Sequence, residues 1–282
     1  MRNIFLQHAV APRPVCFAST IDRSGKINLS PFSFFNLFST TPPILIFSPV
    51  RRVRDNSTKH TLENILEVPE VVINMVSYAM VQQVSLASCE FPKGTDEFLK
   101  AGFTKQASEL IQPPRVAESP VQLECRVLEV KPLGMGAGAG NLVIAEVLLM
   151  HIDERVLDNA GRMHQGKLDL VARLGANWYT RVNADTIFEV EKPNTNVGMG
   201  VDLLPASIRQ SNILTGNNLG QLGNVPEQPL VDPSFEDERL KNIVQYYSIS
   251  PEEMEKELHL YAKELLQTGK VTEAWQVLLA LN

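Results

Sequence analysis

The sequence predicts a mainly β fold, a β-barrel with short helices, followed by an irregular connector and a small helical C-terminal extension. Three observations lead there. Short apolar runs separated by turn residues recur through residues 1–182, and many short strands with turns between them favour a closed or half-closed barrel. Val121, Leu123, Cys125 and Val127 alternate with Gln122, Glu124 and Arg126, the period of a half-buried strand. Beyond residue 234 the pattern changes to helical spacing with clear start and stop signals.

Taken in order, Val15 to Thr20 is an apolar run ending at the turn Asp22-Arg23-Ser24-Gly25. Phe34 to Phe38 and Ile44 to Ser48 flank Thr41-Pro42-Pro43, and Val71 to Val76 is another strand. Three helices interrupt the strands. One starts near Ser57 or Thr58 with Leu62, Ile65 and Leu66 on one face, one lies near Tyr78 to Ala87, and one runs from Asp96 to Ala101 and stops at Gly102. The loop Gly134 to Gly140 leads into Asn141 to Ile152, a long, nearly all-apolar strand. That loop looks like a dinucleotide fingerprint, but a strand follows it, so the helix that would meet a pyrophosphate is missing and a hairpin is expected.

Residues 183–233 read as the connector, rich in Asn, Gly and Leu from Asn194 to Asn224. In the extension, residues 234–282, Leu240, Ile243, Val244 and Tyr247 share a helix face. Ser250-Pro251-Glu252-Glu253 reads as a capping box with Pro at the first helical position. Met254, Leu258, Tyr261 and Leu265 follow at helical spacing before Gly269, and Trp275, Leu278 and Leu279 mark a last helix.

Composition narrows the function classes. With 44% hydrophobic and 21% charged residues the chain reads as globular. A net charge of −6 argues against a non-specific nucleic-acid binder, which needs a basic face. The apolar start is broken at Gln7 and His8, and no run approaches the ~20 residues that span a bilayer, so a cytoplasmic protein without membrane partners is expected. Cys16, Cys89 and Cys125 lack CxxC spacing and read as buried thiols, and the five histidines show no metal-ligand spacing, so no metal site is expected.

Three segments carry the candidate chemistry. Ser30, Pro31, Phe32, Ser33, Phe34, Phe35 and Asn36, read as one strand, put hydroxyls on one face and rings on the other. A flat amphipathic ring system suits such a wall, and so does an ordinary strand with a buried Phe cluster. Ser48 and Arg52 form the second segment. Ser57, Lys59 and Thr61 form the third, two hydroxyls and a cation at a helix start, which fits a phosphate or a plain helix cap.

The ordered series Arg13-Pro14-Val15-Cys16-Phe17-Ala18-Ser19-Thr20, Asn28 to Asn36, Pro42-Pro43, Lys59 to Ile65 and Val72-Ile73-Asn74 resembles the flavin-reductase-like, FMN-binding split-barrel family. Asp96-Glu97-Phe98 with Gly102, Pro114 to Glu118, and Ala172-Arg173-Leu174-Gly175 with Tyr179 continue it, so the likeness spans about residues 10 to 182. It implies a six-stranded split barrel, a homodimer, and FMN near the subunit interface. It further implies that Ser30 to Asn36 line the isoalloxazine, that Ser48 and Arg52 lie between ring and phosphate, and that Ser57, Lys59 and Thr61 hold the phosphate. The segment at Asp96, Glu97 and Phe98 would border the flavin's open face, and Arg173 and Tyr179 would close the site. The implied activity is that of an FMN-dependent oxidoreductase with NADH or NADPH as co-substrate. The alternative is a non-catalytic flavin-binding or electron-carrier module with a protein-docking tail; a substrate-specific oxidase or sensor would use the same barrel.

Overall fold

The computed structural model describes residues 2–190 and 197–280 and divides the chain into two compact units, residues 1–188 and 189–282. The first unit opens with a short helix, α1 (Arg2–Ala9), and strand β1 (Arg13–Pro14). Then come β2 (Cys16–Ile21), β3 (Ile27–Phe32), β4 (Phe35–Thr40), β5 (Pro43–Phe47), helix α2 (His60–Glu67) and β6 (Glu70–Met75). Helices α3 (Val81–Ala87) and α4 (Glu97–Ala101) follow, then the short pair β7 (Lys105–Gln106) and β8 (Arg115–Val116). The long strands β9 (Val121–Pro132) and β10 (Asn141–Ile152), a turn of helix α5 (Gln165–Leu168), and β11 (Val171–Arg173) and β12 (Tyr179–Arg181) complete the unit.

Seven strands form one antiparallel sheet in the order β3-β2-β6-β9-β10-β5-β4. Its two edge strands are consecutive in the chain, joined by Ser33 and Phe34 alone. Two residues span only about 11 Å across three Cα steps, so the sheet must curl until its edges approach. Phe32 on one edge strand and Phe47 near the other stand 5.3 Å apart, ring to ring, across that closure. The sheet therefore has one strand more than the expected six, and the expected single strand over Ser30–Asn36 is two strands that pair in opposite directions around the barrel. A straight strand could pair only on its own two sides; the break lets β3 bond to β2 while β4 bonds to β5.

Residues on β2 alternate between two cores, which follows from the pleat. Cys16 and Ala18 face the barrel interior with Phe47, Ile73, Leu123, Cys125, Val143 and Ala145. Val15 and Phe17 face the other way, under α3 and α4, with Leu29, Met80, Val84, Phe98 and Phe103. The loop Gly134–Gly140 is a hairpin turn between β9 and β10, and Gly102 ends α4 at φ 72°. Cys16 and Cys125 are buried as expected, but Cys89 is exposed, because it lies in the turn that follows α3.

The second unit is helical. Part of the expected connector is folded: a helical turn at Val201–Leu203, α6 (Ala206–Arg209) and α7 (Gly216–Leu222) place Leu204, Ile208, Leu214 and Leu222 in the core of α8 (Glu238–Tyr246), α9 (Pro251–Gln267) and α10 (Val271–Leu278). Short helices with few apolar residues leave no period to read, but tertiary burial holds them. Trp275 is fully buried and donates its indole N–H to the Leu222 carbonyl at 3.3 Å. Ser250 precedes α9 as expected, yet its side chain makes no cap hydrogen bond; the reciprocal box forms instead between Thr215 and Asn218 at α7. Among the described residues no helix is long and apolar enough to cross a membrane.

Candidate functional site

The loop between β5 and α2 is built on its own polar groups. Asn56 adopts φ 57°, a left-handed turn that Asn tolerates. Its carboxamide oxygen and carbonyl accept from Arg51 Nε and Nη2 at 2.7 and 2.6 Å. Asp55 accepts the Ser57 N–H at 3.0 Å and its hydroxyl at 2.5 Å, which holds the Asp55 carboxyl below the usual range. Arg52 donates Nη1 to Ser57 Oγ at 3.0 Å and to the Thr58 carbonyl, while its Nε pairs with Glu90 at 3.3 Å.

Lys59 is the residue before α2, not a position inside it, so the helix starts later than the expected Ser57 or Thr58 and its first turn has no side-chain cap. Thr58 instead donates to Glu63 at 2.8 Å, five residues on. The Lys59 ammonium is half-buried and makes no hydrogen bond or ion pair among the described residues. Burial and the neighbouring Arg52 charge push its pKa below the ordinary lysine value. Thr61 is fully buried and donates to Asn28 Oδ1 at 2.6 Å. Asn28 in turn donates to Glu97 at 2.9 Å, and Glu97 also accepts the Leu29 N–H at 3.1 Å. Burial without a cation pushes the Glu97 carboxyl up.

Lys59 stands between two hollows. A narrow one, about 20 Å³, is bounded by Asn28, Ser30, Arg52, Lys59, Thr61, Cys89 and Glu97. A wider one, about 230 Å³, is lined by Gln7, Arg13, Pro31, Phe32, Ser33, Phe34, Ser48, Val50, Lys59 and Arg173. Apolar rings and hydroxyls thus share one wall with three cations.

A model of the family described as "Flavin reductase like domain" matches residues 8–170. The chain belongs to this family. An uncharacterized protein of Aquifex aeolicus (strain VF5) is 34% identical over 172 residues, 61% of this chain and 85% of that one. Among solved structures, nitrilotriacetate monooxygenase component B from Bacillus cereus is 28% identical with a TM-score of 0.62, covering 67% of this chain and 92% of its own. Flavoredoxin of Desulfovibrio vulgaris (Miyazaki F) shares the fold at 22% identity and a TM-score of 0.54, over 64% and 91% of the two chains. The first unit is thus a flavin reductase-like split barrel, and the helical unit lies beyond the matched region.

Within this flavin reductase-like barrel most of the residues singled out in the sequence line one of three hollows, and Phe35, Asn36 and Tyr179 line none of them. Pro31, Phe32, Ser33, Phe34, Ser48, Lys59 and Arg173 line the wider hollow, and Ser30, Arg52 and Thr61 line the narrower one. Ser57 lies on a shallow cleft with Arg52, Arg54 and His60. Phe35 and Asn36 sit on β4 outside these hollows, Asn36 exposed, because the break at Ser33–Phe34 turns the chain away. Ser48 Oγ accepts the Asn141 N–H at 3.1 Å, and the Tyr179 hydroxyl accepts from Arg173 at 2.6 Å. Phe98 is fully buried under β3 and cannot border an open face, while Glu97 reaches the narrow hollow from behind. Sequence reading quoted Arg13 and Asn28 without assigning either a role, and it missed helix α1. Arg13 stood in the quoted Arg13-Pro14 pair, but nothing local shows that an arginine at a strand start turns inward.

Proposed function

We propose that this chain is a cytoplasmic FMN-dependent oxidoreductase of the flavin reductase type, using NADH or NADPH. The observation that carries this reading is Lys59, a half-buried cation with no hydrogen bond or ion pair among the described residues, set between the ring-and-hydroxyl wall of Pro31–Phe34 and the Arg52–Ser57 loop. Burial and the neighbouring Arg52 charge outweigh the attraction of Glu90, so such a lysine is suited to a further anion. A flat ring system that ends in a phosphate fits the arrangement: apolar area for the ring, hydroxyl and backbone donors for its polar edge, a cation for the phosphate.

FMN supplies the chemistry when bound, accepting a hydride at N5 from the nicotinamide. The chain's residues bind and orient it. In this reading Ser57 and Lys59 hold the phosphate, with Arg52 as a bracket that fixes Ser57. Thr61 acts through its buried bond to Asn28, which fixes the start of α2. Ser30, Pro31, Phe32, Ser33, Phe34 and Ser48 line the ring, Phe35 and Asn36 continue that wall on β4, and Arg173 with Tyr179 closes the site. The visible spectrum of the purified protein tests the reading. Bound FMN bleached rapidly and anaerobically by NADH or NADPH is the expected result. Bound flavin that neither nicotinamide reduces would favour the electron-carrier reading, and no flavin binding would end both.

A homodimer belongs to the same proposal. The edge strand β4 leaves Leu37 and Phe38 more than half exposed, and an exposed apolar edge invites pairing.

A further inference from the structure

Arg13 is an arginine with only 9% of its surface exposed and no ion pair among the described residues. Its Nη1 donates to the Gln7 and Val10 carbonyls at 2.5 Å each, and Nη2 to the Leu174 carbonyl at 2.9 Å. Its Nε, though buried, has no partner among the described residues. Arg173 faces it directly across the β1–β11 pair. The Arg173 guanidinium is likewise held by neutral groups, the Tyr179 hydroxyl and the Ala176 carbonyl. Like charges opposite one another in a ladder repel, and burial beside Arg173 lowers the Arg13 pKa. Both arginines and Lys59 line the 230 Å³ hollow, and no Asp or Glu does.

We infer that the Arg13–Arg173 end of this hollow is a subsite for an organic carboxylate with a flat apolar body. The proposal rests on the flavin reading and names the substrate class of the same site. Lys59 answers the phosphate, which leaves the two guanidinium groups for a second anion. A guanidinium with a free Nε–H meets a carboxylate in plane through two parallel hydrogen bonds, a match that a neutral amide lacks. The rest of the hollow suits the body of such a ligand. The Pro31–Phe34 wall holds the flavin ring in that reading, so the ligand's flat body would lie against the ring's open face beside Val50, with its carboxylate at the Arg13 guanidinium, 5.9 Å from the Phe34 ring centroid. A bound carboxylate would satisfy Arg13 Nε and relieve the repulsion between the two arginines.

The test titrates the FMN-loaded protein with benzoate, benzamide and inorganic phosphate, following the flavin spectrum, and repeats the benzoate titration by calorimetry on flavin-free protein. Benzoate is expected to bind about tenfold or more tightly than benzamide, the scale of a charge-assisted pair. Phosphate is expected to compete poorly, and Arg13→Gln to remove the preference for benzoate over benzamide. Equal binding of benzoate and benzamide, expulsion of FMN by benzoate, or equal competition by phosphate would each overturn the subsite. Arg13 also ties α1 to β11, so Arg13→Gln could unfold that corner; the benzoate–benzamide comparison on the unaltered protein decides the matter without it. If the protein holds no FMN, the flavin reading falls, while calorimetry still decides whether the arginines take a carboxylate.

Discussion

Lys59 and Thr61 are two residues apart and have separable roles. The Lys59 ammonium makes no hydrogen bond or ion pair among the described residues, whereas the Thr61 hydroxyl is spent on Asn28. Lys59→Ala should therefore weaken FMN binding by about 1.5–3 kcal/mol, the loss of one charge-assisted hydrogen bond, with little change in stability. Thr61→Ala should instead cost about 1–3 kcal/mol of stability by leaving Asn28 Oδ1 buried and unpaired. Flavin titration and urea unfolding separate the two; a Lys59→Ala protein with unchanged FMN affinity would remove the phosphate assignment. The Lys59 pKa also gives affinity a sign with pH. It is lowered in the free protein and would rise beside a phosphate, so the complex holds a proton that the free protein has lost. Affinity is then expected to fall as pH rises through the lowered value. Glu97 behaves oppositely to most carboxylates here. Its folded pKa is raised, so the folded state keeps a proton that the unfolded chain releases, and stability falls as pH rises from the ordinary Glu range through the raised value. Glu97→Gln cannot titrate. Its stability relative to the unaltered protein should climb with pH across that window in urea unfolding, and a flat difference would contradict the buried carboxyl.

The hairpin between β9 and β10 is tied to the site through one close approach. A Cβ on Gly140 would stand 2.6 Å from Ser48 Oγ. Ser48 has little freedom to retreat, since its N–H is bonded to the Phe34 carbonyl at 2.8 Å and its hydroxyl holds Asn141. Gly140→Ala is expected to destabilise by about 1–3 kcal/mol, as overpacking does, and to lower FMN affinity by moving Ser48. Gly136→Ala meets nothing within 4 Å and should stay within about 0.5 kcal/mol of the unaltered protein in thermal melts. Local signals made much of this level legible in advance. The β10 strand was readable end to end because its apolar run begins after Gly140 and ends at Asp153-Glu154, and α4 because Asp96 caps it and Gly102 ends it. The break between β3 and β4 was hidden, because Ser33-Phe34 continues the hydroxyl–aromatic alternation on both sides. What breaks the strand is the change of pairing partner, a long-range property. The same reason hid α6 and α7, which are held by burial of Ile208 and Leu222 and not by their own period. It hid Arg13 too, whose orientation depends on carbonyls of α1 and on Leu174.

At the scale of the molecule the two units differ in charge. Residues 189–282 contain 14 acidic and seven basic side chains, residues 1–188 contain 18 and 19, so the helical unit carries −7 and the barrel unit +1 of the net charge of −6. An acidic surface is suited to meeting a basic partner, and the barrel's chemistry has no evident use for one. Sedimentation at micromolar concentration should give twice the 31.4 kDa chain mass if the barrel pairs as proposed, and a flavin-loaded monomer would count against that. The remaining question is whether the helical unit belongs to the flavin site. The barrel's two cores draw on no residue beyond Tyr179, and the helical core on none before Met199. Every residue assigned above to the ring, the phosphate or the arginine subsite also precedes Val182. A chain ending at Phe188 therefore keeps both barrel cores and all its proposed ligands, and it should fold and hold FMN with an affinity within about threefold of the full chain. Circular dichroism and flavin retention through gel filtration measure both. If the shortened chain folds but releases FMN, the helical unit supplies part of the site. If it folds, holds FMN and reduces bulky acceptors faster, the unit limits access to the flavin.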